Sequence, residues 1–328
     1  MPELNHPFSQ LTPDFIMDAV ESRGFRCDYR TLALNSYENR VYQVGIEEEQ
    51  PLIAKFYRPD RWSDEQIVEE HQFCLELARE ELPVVAPMQD RGGASLFAHK
   101  GIRFALYPRQ GGHAPEFDNL KNLPILGRML ARIHNIGAIR PFGQRPTLDS
   151  QGFGHASADL ISNYFIPDEY RDSYTGVCQM LLAKVDTIMA AAGPVRYLRT
   201  HGDSHAGNIL WRDEAPHFVD FDDARMAPAV QDIWMMLSGN RARQSEQLEA
   251  IMDGYLEFRD FDRRELQLIE PLRALRMLHY SAWLASRWQD PAFRQNFPWF
   301  NTIRYWGEHI IQLREQLAAL EEPPLEMP

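Results

Sequence analysis

The hydrophobic pattern of this chain changes its period near residue 108, and that change limits the folds open to it more than any other feature. Before this point, apolar and polar residues alternate in short segments bounded by turn residues, which is typical of strands. Three such segments within 29–58 predict an antiparallel meander. Further strands are predicted at Val84-Val85, 95–99 and 103–107.

Capping residues predict two helices in the same part of the chain. Thr12 is a natural N-cap with Pro13 at the first helical position, and Gly24 follows the last apolar turn. Ser63 and Gln66 have the spacing of a capping box at the start of the second helix, after the meander. The order after the first helix is therefore β-β-β-α-β-β.

Beyond residue 108 the period is mostly that of helices. Helical periodicity covers the stretches 126–133, 175–191, 230–290 and 301–321. A predicted strand pair, 208–211 with 217–221, interrupts them, and Pro108 with Gly111-Gly112 marks the boundary. The sequence predicts an α+β protein of two lobes: a small antiparallel-sheet N-terminal lobe, residues 1–108, and a large helical C-terminal lobe, residues 109–328.

The charge of the chain restricts its partners. Its 34 basic and 47 acidic residues give a net charge of −13, which repels nucleic acid and anionic membranes. No stretch approaches the roughly 18 uninterrupted apolar residues of a membrane-spanning helix. The three cysteines, Cys27, Cys74 and Cys178, have neither disulfide-framework nor metal-site spacing. We expect a cytoplasmic monomer that binds neither nucleic acid nor membrane.

The densest group of polar residues lies around the predicted hairpin. Asp203 is followed five residues later by Asn208, and Asp220 comes twelve residues after that. Because the hairpin strands run antiparallel, Asn208 and Asp220 should lie side by side, and amide and carboxylate oxygens suit Mg²⁺. Asp203 is then free to face a hydroxyl group. The spacing matches the catalytic loop of protein kinases, H-x-D-x-x-x-x-N followed by Asp-Phe.

Two other readings of these residues are weaker. Asp203 and Asp220 could form a solvated turn and a helix cap, but a carboxylate at 220 between apolar neighbours would be costly to bury without a role. A zinc site made by His201, Asp203 and His205 lacks a fourth ligand with suitable spacing. Structural roles for the two histidines, bonding backbone or a neighbouring carboxylate, are favoured.

Lys55 and Glu70 are the residues of the first lobe that we predict to belong to the kinase site. Lys55 is the basic residue inside the apolar strand 52–57. Ile67, Glu70, Cys74 and Leu77 share one stripe of the next helix, so Glu70 should face the core and need a cation. We expect an ion pair between Lys55 and Glu70, as in the pair that positions ATP phosphates in kinases. The plainer alternative is a lysine on the solvent face of the sheet.

The loop 35–39 stands where kinases have a glycine-rich loop over the phosphates. It contains no glycine, so its backbone is less free to wrap a phosphate, and the hydroxyl of Ser36 is expected to compensate by donating a bond. By itself, the loop would be interpreted as an ordinary hairpin turn. Neither a Walker motif nor a G-x-G-x-x-G motif occurs in the chain, which argues against P-loop and Rossmann folds.

Taken together, these motifs resemble those of the aminoglycoside phosphotransferase and choline kinase superfamily. The resemblance rests on His201-Gly202-Asp203-x-His205-x-Gly207-Asn208, on Val219-Asp220-Phe221-Asp222-Asp223-Ala224, and on the helix 126–134. Within that superfamily, the stretches 34–42, 228–234, 283–293 and 296–299 resemble the bacterial stress response kinase A family. The likeness covers nearly the whole chain and implies a bilobal, protein-kinase-like fold.

The resemblance implies an ATP- and Mg²⁺-dependent kinase that phosphorylates Ser or Thr on proteins during bacterial stress responses. Carried over by motif, Asp203 would be the proton acceptor, Asn208 and Asp220 the Mg²⁺ ligands, and Ser36 the loop residue that contacts ATP. Asp232 matches a position that we interpret as a brace for the catalytic loop.

Two departures from the pattern of eukaryotic protein kinases affect regulation. Those enzymes have an arginine before the catalytic aspartate, which binds an activation-loop phosphate, whereas the residue before Asp203 is Gly202. They also have a glycine after Asp-Phe, where this chain has Asp222. Control by activation-loop phosphorylation is therefore not expected.

Two alternatives share the same motifs. A small-molecule kinase acting on a hydroxylated amine or sugar would use every one of these catalytic residues. Its acceptor pocket would be lined by an aromatic group that we otherwise attribute to helix packing: Trp283, Trp288, Trp299, Phe300 and Trp306. A catalytically inactive nucleotide-binding scaffold is the other alternative. The complete set of Lys55, Glu70, Asp203, Asn208 and Asp220 argues against it.

Overall fold

The part of the chain before residue 109 folds into strands and two helices, as its sequence period predicts. The computed structural model describes residues 8–327. The elements in this part are α1 (Pro13–Glu21), β1 (Cys27–Ala33), β2 (Arg40–Ile46), β3 (Leu52–Phe56), α2 (Asp64–Arg79), β4 (Phe97–His99) and β5 (Ile102–Pro108). The predicted order of strands and helices is confirmed, except at Val84-Val85, where Val84 forms only an isolated bridge with Phe218.

The five strands form one antiparallel sheet in the order β1-β2-β3-β5-β4. The central strand β3 is buried on both faces: Ala54 and Phe56 belong to the main apolar core of the sheet, and Lys55 between them is 6% exposed. In the register of the sheet, Lys55 lies between Val41 on β2 and Ala105 on β5. The sheet therefore holds a lysine in an apolar setting.

Local capping rules explain where the first two helices begin. Thr12 accepts a hydrogen bond from the amide of Phe15, and Ser63 and Gln66 form the reciprocal pair of a capping box at the start of α2. The predicted inner stripe of α2 is confirmed, because Ile67, Glu70, Cys74 and Leu77 are all buried. Glu70 thus faces inward, as its position in the stripe predicts.

Helices dominate the remainder, with two short strand pairs. The helices are α3 (Leu123–Gly137), α4 (Ala156–Tyr164), α5 (Asp168–Ala191), α6 (Val230–Trp234), α7 (Arg241–Tyr255), α8 (Ile269–Ser286), α9 (Pro291–Asn296) and α10 (Ile303–Ala319). The strands are β6 (Tyr197–Thr200), β7 (Ile209–Arg212), β8 (Ala215–Phe218) and β9 (Arg225–Pro228). The hairpin β7–β8 was predicted, but the antiparallel pair β6–β9 was not.

The chain divides into two compact units that are discontinuous in sequence. Of the described residues, the first contains 8–116, together with Asn135–Arg145 and His201–Ala224; the second contains Phe117–His134, Pro146–Thr200 and 225–327. The lobe boundary at residue 108 stays a prediction. All six predicted site residues lie in the first unit, because the segment 201–224 belongs to it.

The first unit incorporates this segment through main-chain hydrogen bonds. The amide of Val85 donates to the carbonyl of Phe218 (3.0 Å), and the amide of Phe218 donates to the carbonyl of Pro83 (2.8 Å). On β7, Trp211 exchanges two such bonds with His113 (2.7 and 3.1 Å). Backbone pairing, which does not depend on side-chain identity, thus ties the hairpin to this unit. Within residues 8–327, the helices lack the combination of length and apolar character that crossing a membrane requires.

In the second unit, two glycines allow the backbones of α3 and α7 to meet. A side-chain carbon added to Gly127 would overlap the carbonyl oxygen of Ile251, and one added to Gly254 would overlap that of Pro124. Both obstacles are main-chain atoms, which cannot move aside as a flexible side chain can. This contact therefore requires glycine on both helices.

Replacing Gly254 by alanine should destabilise the protein by about 2 kcal/mol or more, because the added methyl group forces the two backbones apart. Gly176 on α5 is the matched control, since a carbon added there meets nothing within 4 Å. Gly176→Ala should be neutral or stabilise by up to about 1 kcal/mol through helix propensity. Urea unfolding of the two variants measures the difference, and equal stability would contradict the proposed backbone contact.

Candidate active site

Five of the six predicted site residues line one cavity of the first unit. Ser36, Lys55, Glu70, Asn208 and Asp220 contribute to its wall, and its volume is about 350 Å³. The sixth, Asp203, adjoins this wall: its Oδ2 atom lies 3.3 Å from Nδ2 of Asn208. Residues separated by up to 184 positions in the sequence are therefore brought together in one place.

The hairpin positions Asn208 and Asp220 next to each other. Ile209 pairs with Phe218 in the register of β7 and β8, and the amide of Val219 donates to the carbonyl of Asn208 (3.0 Å). The side-chain nitrogen of Asn208 donates to the main-chain carbonyl of Asp203 (2.9 Å). Because the nitrogen is used within the loop, the amide oxygen of Asn208 is the atom left to face a cation.

Asp220 has an unusual backbone conformation. Its φ and ψ angles, 59° and 65°, are left-handed, a region that aspartate tolerates better than most residues. A single 3₁₀ turn, Phe221–Asp223, follows it. The ring of Phe221 is buried between Phe73 on α2 and the imidazole of His201, at centroid distances of 5.9 and 4.4 Å. The half-exposed Asp220 side chain is therefore presented from a turn whose next residue is fixed by packing.

His201 has a structural role, as the sequence favoured. Its Nε2–H donates to the carbonyl of Val219 (2.9 Å), and its Nδ1 accepts from the amide of Asp203 (3.2 Å). Both ring nitrogens are thus occupied by the backbone, which fixes the neutral tautomer. The zinc alternative has no support, because His201 has no lone pair to offer a metal. His205 lies beside Asp203, with Nε2 3.4 Å from Oδ2.

Lys55 is paired with aspartates and not with the predicted glutamate. Its Nζ lies 2.7 Å from Oδ1 of Asp220 and 3.3 Å from Oδ1 of Asp222. Among residues 8–327 these two are its ion-pair partners, so the predicted ion pair with Glu70 is wrong for this structure. Burial lowers the pKa of Lys55, but the charges of Asp220 and Asp222 outweigh burial and hold the pKa well above its ordinary value.

Glu70 instead contacts its own helix. It accepts a hydrogen bond from Sγ of Cys74 (3.4 Å), and its Oε2 lies 3.7 Å from Nε2 of His71. Burial raises the pKa of Glu70 to about 7, although the charges of Lys55 and Arg145 reduce this rise. Helical periodicity gave the inward direction of the side chain, but it could not show that two other carboxylates lie closer to Lys55. A role for Glu70 in nucleotide binding stays a prediction.

His71 belongs to a neutral, hydrogen-bonded group behind this wall. Burial lowers the pKa of His71 to about 3, so the ring is uncharged at neutral pH. Its Nε2 lies 2.7 Å from the hydroxyl of Tyr57, and its Nδ1 lies 2.9 Å from the hydroxyl of Ser95. Tyr57 also bonds to the hydroxyl of Tyr107 (3.0 Å). His71 therefore offers Glu70 no charge to pair with.

Asp222 is a buried part of the site that sequence reasoning missed. Arg61 lies 2.8 Å from its Oδ2 and also pairs with Asp223 (2.9 Å). Burial raises the pKa of Asp222, but the charges of Arg61 and Lys55 outweigh burial and lower it to about 2. The only signal in the sequence was the acidic residue in the place of the kinase glycine.

Arg145 holds the backbone of the same turn. Its guanidinium donates to the carbonyl oxygens of Asp222 and Ala224, the latter at 2.8 Å. The carboxylate of Glu69 on α2 fixes the loop that carries Arg145 by accepting from three successive backbone amides, at residues 143–145. Spacing could not have predicted these contacts, because they join segments about 75 residues apart.

The Ser36 loop is held by its own hydrogen bonds. The Ser36 hydroxyl donates to the carbonyl of Asn39 (3.2 Å), and the side-chain oxygen of Asn39 accepts from the amide of Arg58 (3.0 Å). Glu38 pairs with Arg58 (3.0 Å) and Arg61 (3.4 Å). Contact of Ser36 with a phosphate stays a prediction, and its hydroxyl would have to exchange one acceptor for another.

Asp232 lies in the second unit, fully buried, with Oδ2 3.1 Å from Nε2 of His134. The other nitrogen of His134 bonds to the hydroxyl of Tyr255 (2.8 Å). These contacts tie α6 to α3 and α7, and the bracing role of Asp232 stays a prediction.

Two members of the predicted aromatic group are buried and pack against each other, and a third is exposed. Trp306 and Phe300 are buried against each other, at a centroid distance of 5.6 Å, whereas Trp299 is 44% exposed.

The comparison with known families agrees with this arrangement of residues. Residues 30–269 match the phosphotransferase enzyme family (APH), which is more than half of the chain. The chain therefore belongs to the phosphotransferase enzyme family, and it is an enzyme that transfers a phosphoryl group to a hydroxyl group.

The curated relatives are more specific. Stress response kinase A of Escherichia coli (strain K12) is 46% identical over 321 residues, which cover 98% of this chain and 97% of the relative. The serine/threonine protein kinase RdoA of Salmonella typhimurium is 44% identical over the same share of both chains.

Solved structures share the kinase-like fold at low sequence identity. An amicoumacin kinase, solved with AMP-PNP, Ca²⁺ and Ami, is 18% identical with a TM-score of 0.71, covering 95% of this chain and 94% of its own. A spectinomycin phosphotransferase solved with ADP and spectinomycin is 16% identical with a TM-score of 0.58, covering 89% of each chain. The predicted phosphotransferase-type fold is confirmed.

Glu70 should make stability depend on pH. Its pKa of about 7 in the folded protein lies above the ordinary value of 4.5, so its ionisation opposes folding. Wild-type stability relative to Glu70→Gln should therefore fall by up to about 3 kcal/mol as pH rises from about 4.5 to about 7, and stay level above that. Urea unfolding of both proteins at about pH 5 and about pH 8 measures this change. A difference that does not vary with pH would contradict the raised pKa.

Proposed function

We propose that this protein is an ATP- and Mg²⁺-dependent serine/threonine protein kinase of the bacterial stress response. The observation that carries the proposal is the convergence of a buried lysine, an amide and a carboxylate on one cavity wall, with Asp203 beside them. The names of relatives that match 98% of the chain support the protein acceptor and the stress-response context. Each catalytic role below is part of this proposal.

The cavity suits a nucleotide in size and lining. Its volume falls within the roughly 300–1,000 Å³ that is usual for ligand sites. Apolar side chains of Val41, Ile53, Leu210 and Val219 line it and can cover the two faces of a purine. Lys55 supplies the buried positive charge that phosphate oxygens require.

Asp220 and Asn208 would hold the metal ion. A half-exposed carboxylate and a free amide oxygen are hard donors, which fit Mg²⁺ and leave its other positions to phosphate oxygens and water. When bound, the ion would neutralise charge on the phosphates. This donor set favours hard divalent ions such as Mg²⁺, Ca²⁺ and Mn²⁺ over softer ones, and Mg²⁺ is the ion that the kinase pattern implies.

Asp203 would receive the acceptor hydroxyl. Its side chain is 18% exposed, and its Oδ2 is near both Nδ2 of Asn208 (3.3 Å) and Nε2 of His205 (3.4 Å). These neighbours fix the orientation of the carboxylate, so that it can align a Ser or Thr hydroxyl and take its proton.

The relatives support a protein as the acceptor. A protein substrate follows from the names of the relatives, whereas the solved structures named above, at 16–18% identity, indicate the fold alone. We also propose a cytoplasmic monomer that binds neither nucleic acid nor membrane, because its net charge of −13 repels both.

Removing Asp203 or Asp220 should separate transfer from binding. Asp203→Asn should lower phosphoryl transfer by about 10²–10⁴-fold, because it removes the proton acceptor, yet leave Mg·ATP binding nearly unchanged. Asp220→Asn should weaken Mg·ATP binding by about ten-fold or more, because it removes a metal ligand. Calorimetric titration and a transfer assay measure the two effects.

Asp213→Asn is the matched control for Asp220→Asn, since Asp213 lies in the β7–β8 turn with a side chain 87% exposed. It should change neither quantity. Loss of nucleotide binding in Asp203→Asn, or an unchanged affinity in Asp220→Asn, would contradict the assigned roles.

Radiolabelled ATP identifies the acceptor. With Mg²⁺ and a generic acceptor protein, the enzyme should label Ser and Thr, and Asp203→Asn should lower the labelling by about 10²-fold or more. The same reaction with hydroxylated amines or sugars in place of protein should give little product. Label confined to the small molecules would replace the protein kinase with the small-molecule alternative.

A further inference from the structure

Lys55 has two carboxylate partners that differ in their surroundings. Asp220 is 50% exposed and lines the cavity, whereas the side chain of Asp222 is 7% exposed, as is that of Lys55. If a metal ion coordinates the carboxylate of Asp220, Lys55 loses the nearer of its two negatively charged partners. A buried cation left without any partner is strongly unfavourable, and among residues 8–327 Asp222 is the other carboxylate within ion-pair distance of Lys55 until phosphate oxygens reach it.

Asp222 is held in place by groups that do not face the nucleotide cavity. Arg61 lies 2.8 Å from its Oδ2, which leaves Oδ1 directed at Lys55. Arg145 holds its carbonyl oxygen, and Glu69 on α2 fixes the backbone of Arg145. Asp222 can therefore keep its position when the partner of Asp220 changes.

Glu70 is not arranged to do the same. It lines the cavity, but its contacts are with Sγ of Cys74 at 3.4 Å and Nε2 of His71 at 3.7 Å, both on its own helix. Among the described residues, its carboxylate is outside ion-pair distance of Lys55. The positioning task that the sequence pattern gives to Glu70 thus lacks its contact here.

We propose that Asp222 is the residue that positions Lys55 for the nucleotide, in the place expected for Glu70, and that it thereby leaves Asp220 available to a metal ion. This inference rests on the proposed function. It makes Asp222 a positioning residue that acts through Lys55. It also accounts for an acidic residue where the kinase pattern has glycine, because glycine has no group that could hold Lys55.

Binding of a fluorescent, non-hydrolysable ATP analogue, titrated with Mg²⁺, tests the proposal without turnover. In Asp222→Asn, Asp220 is the one ion-pair partner that Lys55 keeps among residues 8–327, so Lys55 competes more strongly with the metal ion for the Asp220 carboxylate. We expect the Mg²⁺ concentration at half-maximal binding to rise by about five-fold or more, a typical size for coupling within one charge network.

Two variants serve as comparisons. Asp223→Asn is the matched control, since it makes the same chemical change one residue away, on a carboxylate that pairs with Arg61, whereas the ion-pair partners of Lys55 within residues 8–327 are Asp220 and Asp222. Glu70→Gln tests the rival positioning residue. Both should shift the Mg²⁺ midpoint by less than about two-fold, because neither carboxylate lies within ion-pair distance of Lys55 in the described part of the chain.

A double-mutant cycle tests whether Asp222 acts through Lys55. Asp222→Asn alone should lower kcat by about thirty-fold, because a Lys55 side chain that is out of position stabilises the transition state less. The effect on KM for ATP should be smaller. In a Lys55→Met background, the same substitution should lower kcat by less than about three-fold. Asp222→Gly, which buries no unpaired amide, gives the same comparison should Asp222→Asn not fold.

Several results would overturn the inference. These are a Glu70→Gln defect as large as that of Asp222→Asn, an unshifted Mg²⁺ midpoint in Asp222→Asn, or an undiminished effect of Asp222→Asn in the Lys55→Met background. A wild-type protein that does not bind the analogue with Mg²⁺ would instead overturn the proposed function, and the inference with it. Normal wild-type binding with an unshifted midpoint in Asp222→Asn would leave the proposed function standing.

Discussion

The first unit depends on one interaction: a lysine buried in the centre of a β-sheet takes its counter-charge from a distant segment. Lys55 lies between Ala54 and Phe56 on β3, where an unpaired ammonium group would be very costly. Its partners, Asp220 and Asp222, are more than 160 residues further along the chain. Satisfying the lysine therefore requires the hairpin segment to lie against the sheet, and the same contact assembles the cavity wall.

The turn that carries these aspartates is fixed through its backbone as well as its charges. Phe221 packs between Phe73 and His201, and Arg145 donates to the carbonyl oxygens on either side of Asp223. Asp220 can therefore hold a left-handed conformation, which costs energy, because its surroundings determine it. The half-exposed side chain is then the one part of the turn that is free to change partners.

Local rules predicted the parts of the site that lie close together in sequence. Capping residues gave the start of α2, helical spacing gave the inward face of Glu70, and antiparallel pairing gave the juxtaposition of Asn208 and Asp220. The partner of Lys55 was predicted wrongly, since periodicity shows which way a side chain points but not which of several carboxylates is nearest. The contacts of Arg61 and Arg145 with the turn could not be predicted either, because each arginine binds a segment far along the chain.

The backbone at Gly202 explains why the stabilising cations come from elsewhere. Its φ angle of 82° is in the left-handed region, where a side chain is strained, so an arginine before Asp203 would disturb the loop that holds Asn208. Arg61 and Arg145 approach the Asp220–Ala224 turn from other segments and bind it without that strain. Carboxylate and carbonyl oxygens of the turn itself accept from both arginines. That activation-loop phosphorylation does not control this site stays a prediction, and these contacts are its physical basis.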